Sequence, residues 1–263
     1  MSRLNRILSQ AARTGMREQV AYQQIYSGVE APPGNFQRMP TSLGERALQC
    51  PICGVASDKF LPFGLGGRPN AQCPNCGSLE RHRIFWLYLS DRTDFLRRPC
   101  KLLHTAPESC LEARLLARHG SDYVTTDRYN RRVSVEADLK ALPFVDSAFD
   151  VLLSSHVLEH IEDDGAAIHE LSRVLRPGGK AVIMVPYDPD NPTYSNPVVT
   201  TPAERMVAYG HPYHYRIYGY DLVDRLAEVG LATRVWPASE LFSTAQRRRY
   251  RLNSNYLLAC DKS

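Results

Sequence analysis

Asp150-Val-Leu-Leu-Ser-Ser-His-Val-Leu-Glu-His-Ile161 decides the fold, together with what lies either side of it. After Asp150 it runs Val151-Leu-Leu153, a short apolar run bounded by polar residues, which is the pattern of a buried strand. Upstream sits Ala137-Asp138-Leu139-Lys-Ala-Leu-Pro-Phe144 and then a turn. Downstream come a helical run, Arg173-Val-Leu-Arg-Pro-Gly-Gly179, and a second apolar run, Lys180-Ala-Val-Ile-Met-Val-Pro186. Strand, helix, Pro-Gly-Gly stop and strand make one parallel crossover unit, because parallel neighbours need a connection long enough to hold a helix.

Taken in this order, the Leu-Pro-Phe turn, Phe149-Asp150 before a strand, Leu158-Glu-His160 and Arg176-Pro-Gly-Gly179 resemble the second half of a class I S-adenosylmethionine-dependent methyltransferase domain. The resemblance implies an α/β, Rossmann-like sheet of seven strands with helices on both faces, and S-adenosylmethionine as cofactor. A closer resemblance, over roughly residues 50 to 230, is to bacterial methyltransferase-like proteins that carry two C-x-x-C motifs, a "CGSLERHR" segment and an "LLH-x-APE" turn. Here these are Cys76–Arg83 and Leu102–Glu108.

The chain of 263 residues is 43% hydrophobic and 23% charged, ordinary for a globular protein, with a formal charge of +4. A mild basic excess permits an anionic partner without arguing for one. No apolar run reaches the ~20 residues that span a bilayer, and the N-terminus lacks the apolar core of a signal peptide. A cytoplasmic protein that does not enter the membrane is expected. Residues 1–45 read as a helical arm, on Leu4, Ile7, Leu8 and Ala11, followed by a Pro- and Gly-containing linker. Residues 46–98 read as a zinc knuckle with a connecting helix, and 99–263 as the catalytic domain.

The knuckle rests on Cys50-Pro-Ile-Cys53 and Cys73-Pro-Asn-Cys76, each followed by glycine. Each pair puts two sulfurs on one tight turn, and four thiolates close a tetrahedral shell around structural zinc. Disulfides or a redox pair are the competing reading. Cys100, Cys110 and Cys260 read as small buried residues. The helix after Cys76 has Ser78 as its expected cap. Arg81-His82-Arg83 near its start reads equally as a grip for phosphate or a sugar acid and as a solvated face.

In the main domain, Lys101-Leu-Leu-His104 ends a strand, a helix follows Pro107, and Asp122–Asp127 is a second strand ending in a carboxylate. That layout is a nucleoside site, with Asp127 accepting from ribose hydroxyls. The turn His104-Thr-Ala106-Pro-Glu108-Ser contains no glycine, where the wider superfamily is glycine-rich. Ala106 is small enough for close approach, and free amides at the helix start favour a carboxylate. His104, Ala106, Glu108 and Ser155 are therefore placed among the cofactor contacts. The resemblance adds that Asp138 accepts from the adenine amine, that Leu139 packs beside the ring, and that His156 lies near the sulfonium.

Residues 187–218 form a turn-rich insert after a strand of the sheet. Ligands bind beyond the carboxyl ends of such strands, so the insert is expected to cover the methyl acceptor. Within it, Thr201-Pro-Ala-Glu204 is a capping box. Arg205, His211 and Arg216 are candidate acceptor contacts, and His214 is the preferred general base with His156 next. Residues 232–236 and 255–260 read as an antiparallel edge, with Arg247–Arg251 between them as a solvated loop. A small-molecule or glycan acceptor, methylated on oxygen, fits best. Two alternatives remain: an RNA methyltransferase using 81–83 and 247–251, and a non-catalytic protein with a degenerate cofactor site.

Overall fold

The computed structural model describes residues 48–64 and 66–263, so the arm and linker expected over 1–45 fall outside the described residues. Two short antiparallel pairs come first, β1 (Leu48–Gln49) with β2 (Ala56–Ser57) and β3 (Leu61–Phe63) with β4 (Arg68–Gln72). Helix α1 (Glu80–Arg92) leads into β5 (Leu102–Thr105), α2 (Ser109–His119), β6 (Tyr123–Asp127), β7 (Val135–Glu136) and β8 (Phe149–Ser155). Then follow α3 (Asp164–Val174), β9 (Leu175–Met184), α4 (Pro202–Tyr209) and α5 (Leu222–Glu228). The chain closes with β10 (Leu231–Pro237), α6 (Ala238–Leu241), α7 (Thr244–Tyr250) and β11 (Tyr256–Lys262).

Strands β5 to β11 form one seven-stranded sheet in the order β10-β11-β9-β8-β5-β6-β7. The pairings from β9 through β7 are parallel, while β11 runs antiparallel to both β9 and β10. Successive residues of each central strand alternate between two cores, as the period of two requires. Leu102, Val151, Leu153, Val182 and Met184 pack with Ile84 and Phe85 of α1 and Leu111 and Leu115 of α2. Leu103, Leu152, Ala181 and Ile183 pack on the other face with Ile168 and Leu171 of α3 and Leu222 and Leu226 of α5. The fold is thus the expected α/β sandwich. Cys50, Ile52, Phe60 and Cys73 of the knuckle belong to the first of these cores, so the knuckle packs on the sheet's helical layer.

Three local expectations are corrected. Arg247–Arg251 is largely helix α7, whose start is closed by a Ser243–Gln246 capping box; the arginines sit on a capped helix instead of in a loop. Ser78 does not cap α1: its hydroxyl meets Cys50 Sγ at 3.2 Å, and His82 Nδ1 accepts from the Leu79 amide at 3.2 Å. Arg83 neither faces solvent nor offers a free grip. It is wholly buried, donating from Nη1 to Ser78 O at 2.6 Å and from Nη2 to Ala71 O at 3.0 Å. It also donates to Tyr250 O at 2.7 Å and Arg251 O at 2.9 Å. One guanidinium thereby ties β4, the turn before α1 and the end of α7 together. A buried charge is tolerated because its donors are taken up by carbonyls.

Arg173 explains why the Leu-Pro-Phe and Arg-Pro-Gly-Gly segments go together. It donates to Leu142 O at 3.0 Å and Phe144 O at 2.8 Å, fixing the turn that precedes β8.

Candidate functional site

From β5 the chain moves outward to β6 and β7, then returns to β8 on the other side of β5. A crevice opens where the order reverses, at the carboxyl ends of the strands. Here it holds a cavity that opens to solvent and is lined from several strand ends and from the insert. Thr105 and Ala106 line it from β5, Thr126 and Asp127 from β6, Asp138 and Leu139 after β7, and His156 after β8. Arg205, Tyr213 and Tyr215 close it from the insert.

Ala106 and His156 both have left-handed backbone, with φ of 48° and 56°. Side-chain-bearing residues pay about 1–2 kcal/mol there, so such positions mark places where the fold dictates the backbone. The Ala106 amide donates to Thr126 O at 2.8 Å and the His156 amide to Met184 O at 2.7 Å, which hold the two turns. The missing glycine is thus replaced in shape by an alanine with the smallest side chain that can follow the turn.

Asp127 Oδ1 accepts from the amides of Tyr129 at 2.6 Å and Asn130 at 2.8 Å. Asp138 accepts from the Lys140 amide at 3.0 Å and pairs with Arg128 at 3.1 Å. Both carboxylates are held in place on the cavity wall, which Leu139 also lines.

His104, Glu108 and Ser155, expected among the cofactor contacts, lie next to the cavity without lining it. The His104 ring is wholly buried, with Nδ1 at 2.8 Å from Tyr123 Oη and Nε2 at 3.0 Å from Glu108 Oε2. Burial pushes the Glu108 carboxyl up, but the bond from His104 holds it down to about 2. The polar end of β5 thus joins Tyr123 and Glu108 in a buried hydrogen-bonded chain through His104.

Arg216, expected as an acceptor contact, is enclosed by protein groups. It is 6% exposed and donates to Ile161 O and Glu162 O, each at 2.6 Å, and pairs with Asp164 at 3.3 Å. It pins the insert to the segment after β8 and faces no acceptor. Arg205 does reach the cavity, its guanidinium 4.0 Å from the Tyr215 ring centroid.

His160 and Tyr213 line the cavity, and His211 and His214 pack against the His160 ring. Burial pushes His214 down to about 3 and His211 to about 4, well below the useful range of a base near neutrality. His156 is better placed. It lines the cavity, its Nδ1 is 2.8 Å from Glu159 Oε1, and its Nε2 has no hydrogen-bond partner among the described residues. Glu159 is wholly buried; burial alone would raise its carboxyl, and the neighbouring His156 holds it at about 2. A carboxylate on Nδ1 fixes the tautomer that leaves Nε2 as an acceptor. His160, Tyr213 and Arg128 join the cavity without having been singled out as site residues, because their meeting depends on how the insert folds back. The density of His and Tyr over 210–219 was its one local signal.

The insert is more ordered than its turn formers suggest. Tyr187 bridges Tyr218 and Tyr194 bridges Ile217. At Gly219 an added Cβ would come within 2.1 Å of Asn191 O, so only glycine permits this backbone crossing.

The four knuckle sulfurs lie within 4.8 Å of one another, and all are free thiols. Cys50–Cys76 and Cys53–Cys73 sulfurs are 3.6 and 3.7 Å apart. A zinc with ~2.3 Å bonds spaces tetrahedral sulfurs about 3.8 Å apart, so the donor set fits that ion. The turns repeat: the Gly54 amide donates to Cys50 O and the Gly77 amide to Cys73 O, with φ of 77° and 70° at the glycines.

Comparison with known proteins is confined to part of the chain. It is 42% identical over 53 residues to the uncharacterized protein YafE of Escherichia coli, or 20% of this chain and 26% of that one. It is 39% identical over 61 residues to the ubiquinone/menaquinone biosynthesis C-methyltransferase UbiE of Hahella chejuensis, covering 23% and 24%. The chain thus spans about a quarter of the length of the curated relatives it matches. Among solved structures, a Burkholderia thailandensis 1,6-didemethyltoxoflavin-N1-methyltransferase aligns at 20% identity and TM-score 0.45, over 70% of this chain and 78% of that one. An S-adenosylmethionine-dependent methyltransferase from Mesorhizobium loti aligns at 16% identity and TM-score 0.48, over 68% and 98%. The stretch from the β5–α2 turn to the end of β9, residues 107–183, matches a family model described as a methyltransferase domain.

Proposed function

We propose that this chain is an S-adenosylmethionine-dependent methyltransferase that methylates a hydroxyl of a small-molecule or glycan acceptor. One observation carries the reading: the paired left-handed turns at Ala106 and His156 frame a switch-point cavity whose far wall presents Asp127, Asp138 and Leu139. The match over residues 107–183 supports it. Asp127 would hold the ribose, Asp138 the adenine amine, and Ala106 would let the backbone come close to the ligand. When bound, the cofactor supplies an activated methyl group. The protein's part is then to align the acceptor, exclude water and take up a proton. Arg205 and Tyr215 orient the acceptor, and His156 Nε2, backed by Glu159, receives its hydroxyl proton.

The nucleic-acid alternative loses one of its two basic segments, since His82 and Arg83 are buried. The degenerate-site alternative loses its motive, since the turn keeps its left-handed form without glycine. We further propose structural zinc on Cys50, Cys53, Cys73 and Cys76, in a cytoplasmic setting that keeps them reduced. Among the described residues, no helix is long and apolar enough to cross a membrane.

Calorimetric titration with S-adenosylhomocysteine tests the cofactor, and a screen of acceptors with labelled methyl groups tests the reaction. No binding by a folded, zinc-loaded protein would end this reading.

A further inference from the structure

Three imidazoles from two distant segments meet beside the cavity, and one of them, His160, lines it. The ligand-capable nitrogens of His160, His211 and His214 all lie within 4.8 Å of one another. Their ring centroids are separated by 4.6 Å (160–214), 5.3 Å (160–211) and 4.3 Å (211–214). Packing histidines ring to ring is a poor way to build a core, because their nitrogens need partners. His214 Nδ1 is buried and has no hydrogen-bond partner among the described residues.

The cluster is held in advance of any ligand. The Tyr215 amide donates to Glu159 O at 2.9 Å, and Arg216 binds the carbonyls of Ile161 and Glu162. Segment 211–216 is thereby fastened to segment 158–162. Such fixing is what metal-ligating side chains need from their surroundings. The local charge is mixed. Glu159, 0% exposed, adjoins His160, and its ion-pair partner among the described residues is His156. Arg81 faces the cluster from α1, acting on His160 and His211. A buried carboxylate without a fixed cation on it favours the arrival of one.

We propose that His160, His211 and His214 bind a divalent transition-metal ion of the zinc class, with a further coordination position open toward the cavity. Imidazole nitrogens suit such ions, and three protein ligands with an open position are the pattern of a reactive site, unlike the closed four-sulfur knuckle. Zinc–nitrogen bonds of about 2.0–2.1 Å space tetrahedral ligands about 3.3 Å apart, so the rings must draw in by side-chain rotation. The open position takes an oxygen donor. Resting on the methyltransferase reading, that donor is the acceptor's hydroxyl, which the metal makes more acidic and whose proton passes to His156 Nε2.

The test uses the full chain without cofactor or acceptor. After equilibration with excess zinc and dialysis, the wild type should hold about two zinc ions, one of them on the knuckle; His211→Ala and His214→Ala should each hold about one. Equal zinc content in wild type and both variants would overturn the site. A second measurement needs no variant: cobalt(II) added to wild type carrying a single zinc, on the knuckle, should broaden the imidazole NMR signals of three histidines in a saturable way. If no histidine signals respond, the site does not exist. Neither readout involves methyl transfer, so failure to bind S-adenosylhomocysteine with zinc still on the histidines would count against the functional reading alone.

Discussion

Glu108 Oε1 lies 3.8 Å from His82 Nε2, joining the turn after β5 to the first turn of the helix that follows the knuckle. Two segments that stand apart in sequence, Cys76–Arg83 and Leu102–Glu108, are therefore two sides of one buried contact. His82 is 7% exposed, and burial pushes its imidazole down to about 3, so it stays neutral in the fold. Glu108, held down to about 2 against the effect of burial, stays ionised.

Both groups predict acid sensitivity with the same sign. Glu108 has a folded value below its ordinary 4.5, so its contribution is complete above that pH and is lost as pH falls toward about 2. His82 also titrates lower in the fold than its ordinary 6.5, so the unfolded chain takes the proton first and stability falls as pH drops toward about 3. Denaturant melts at a series of pH values should show Glu108→Gln flattening the decline in the lower window. His82→Gln should flatten the upper one while still accepting from the Leu79 amide. Parallel curves for wild type and both variants would disprove the linkage.

Loss of a knuckle thiol should cost both metal and stability. Cys73→Ser is expected to abolish tight zinc binding at the four-sulfur site and to lower Tm, because Cys73 also packs in the core shared with β5, β8 and β9. Metal analysis and thermal melts check it. Stoichiometric disulfides in metal-free wild-type protein would rule zinc out.

Asp127→Ala and Asp138→Ala should each weaken binding of S-adenosylhomocysteine, Asp127 more, by about 1.5–3 kcal/mol for hydrogen bonds to a charged group. Asp138 loses less because it is also paired with Arg128. Calorimetry decides. Unchanged affinity for a folded Asp127→Ala would show that β6 does not end at the ribose.

The left-handed turn at Ala106 gives an asymmetric pair of substitutions. Ala106→Gly relieves the backbone and should change stability by no more than about 1 kcal/mol with cofactor affinity kept, since glycine's entropy cost offsets the relief. Ala106→Val places a branched side chain at φ 48° on the cavity wall and should reduce both stability and affinity. Melting curves and calorimetry on the two proteins read the contrast directly.

His156→Asn should lower turnover by about 100-fold or more, leaving S-adenosylhomocysteine affinity intact. Glu159→Gln should weaken turnover less, through loss of the orienting bond at 2.8 Å. Turnover that survives His156→Asn with its pH dependence unchanged would mean the acceptor needs no base there.

Local pattern carried much of this protein. The apolar runs at 102–105, 151–155 and 180–185, the glycine and proline stops, and the carboxylates at strand ends encode the sheet and its cavity wall, because strand period and turn chemistry act over a few residues. The paired Cys-x-x-Cys spacing encodes the sulfur cluster for the same reason. Chain reversal and burial were beyond such patterns. Whether His104 and Glu108 point into the cavity or behind it depends on Tyr123 and His82, which come from other elements. Arg83 and Arg216 look like free charges in the sequence, yet carbonyls brought up from elsewhere in the chain surround them in the fold. His160 meets His211 and His214 only because residues 211–216 fold back onto 158–162, and a contact across fifty residues leaves no local trace. Short-range sterics and hydrophobic period write themselves into the sequence; side-chain direction in a polar site is settled by whichever distant groups satisfy its hydrogen bonds.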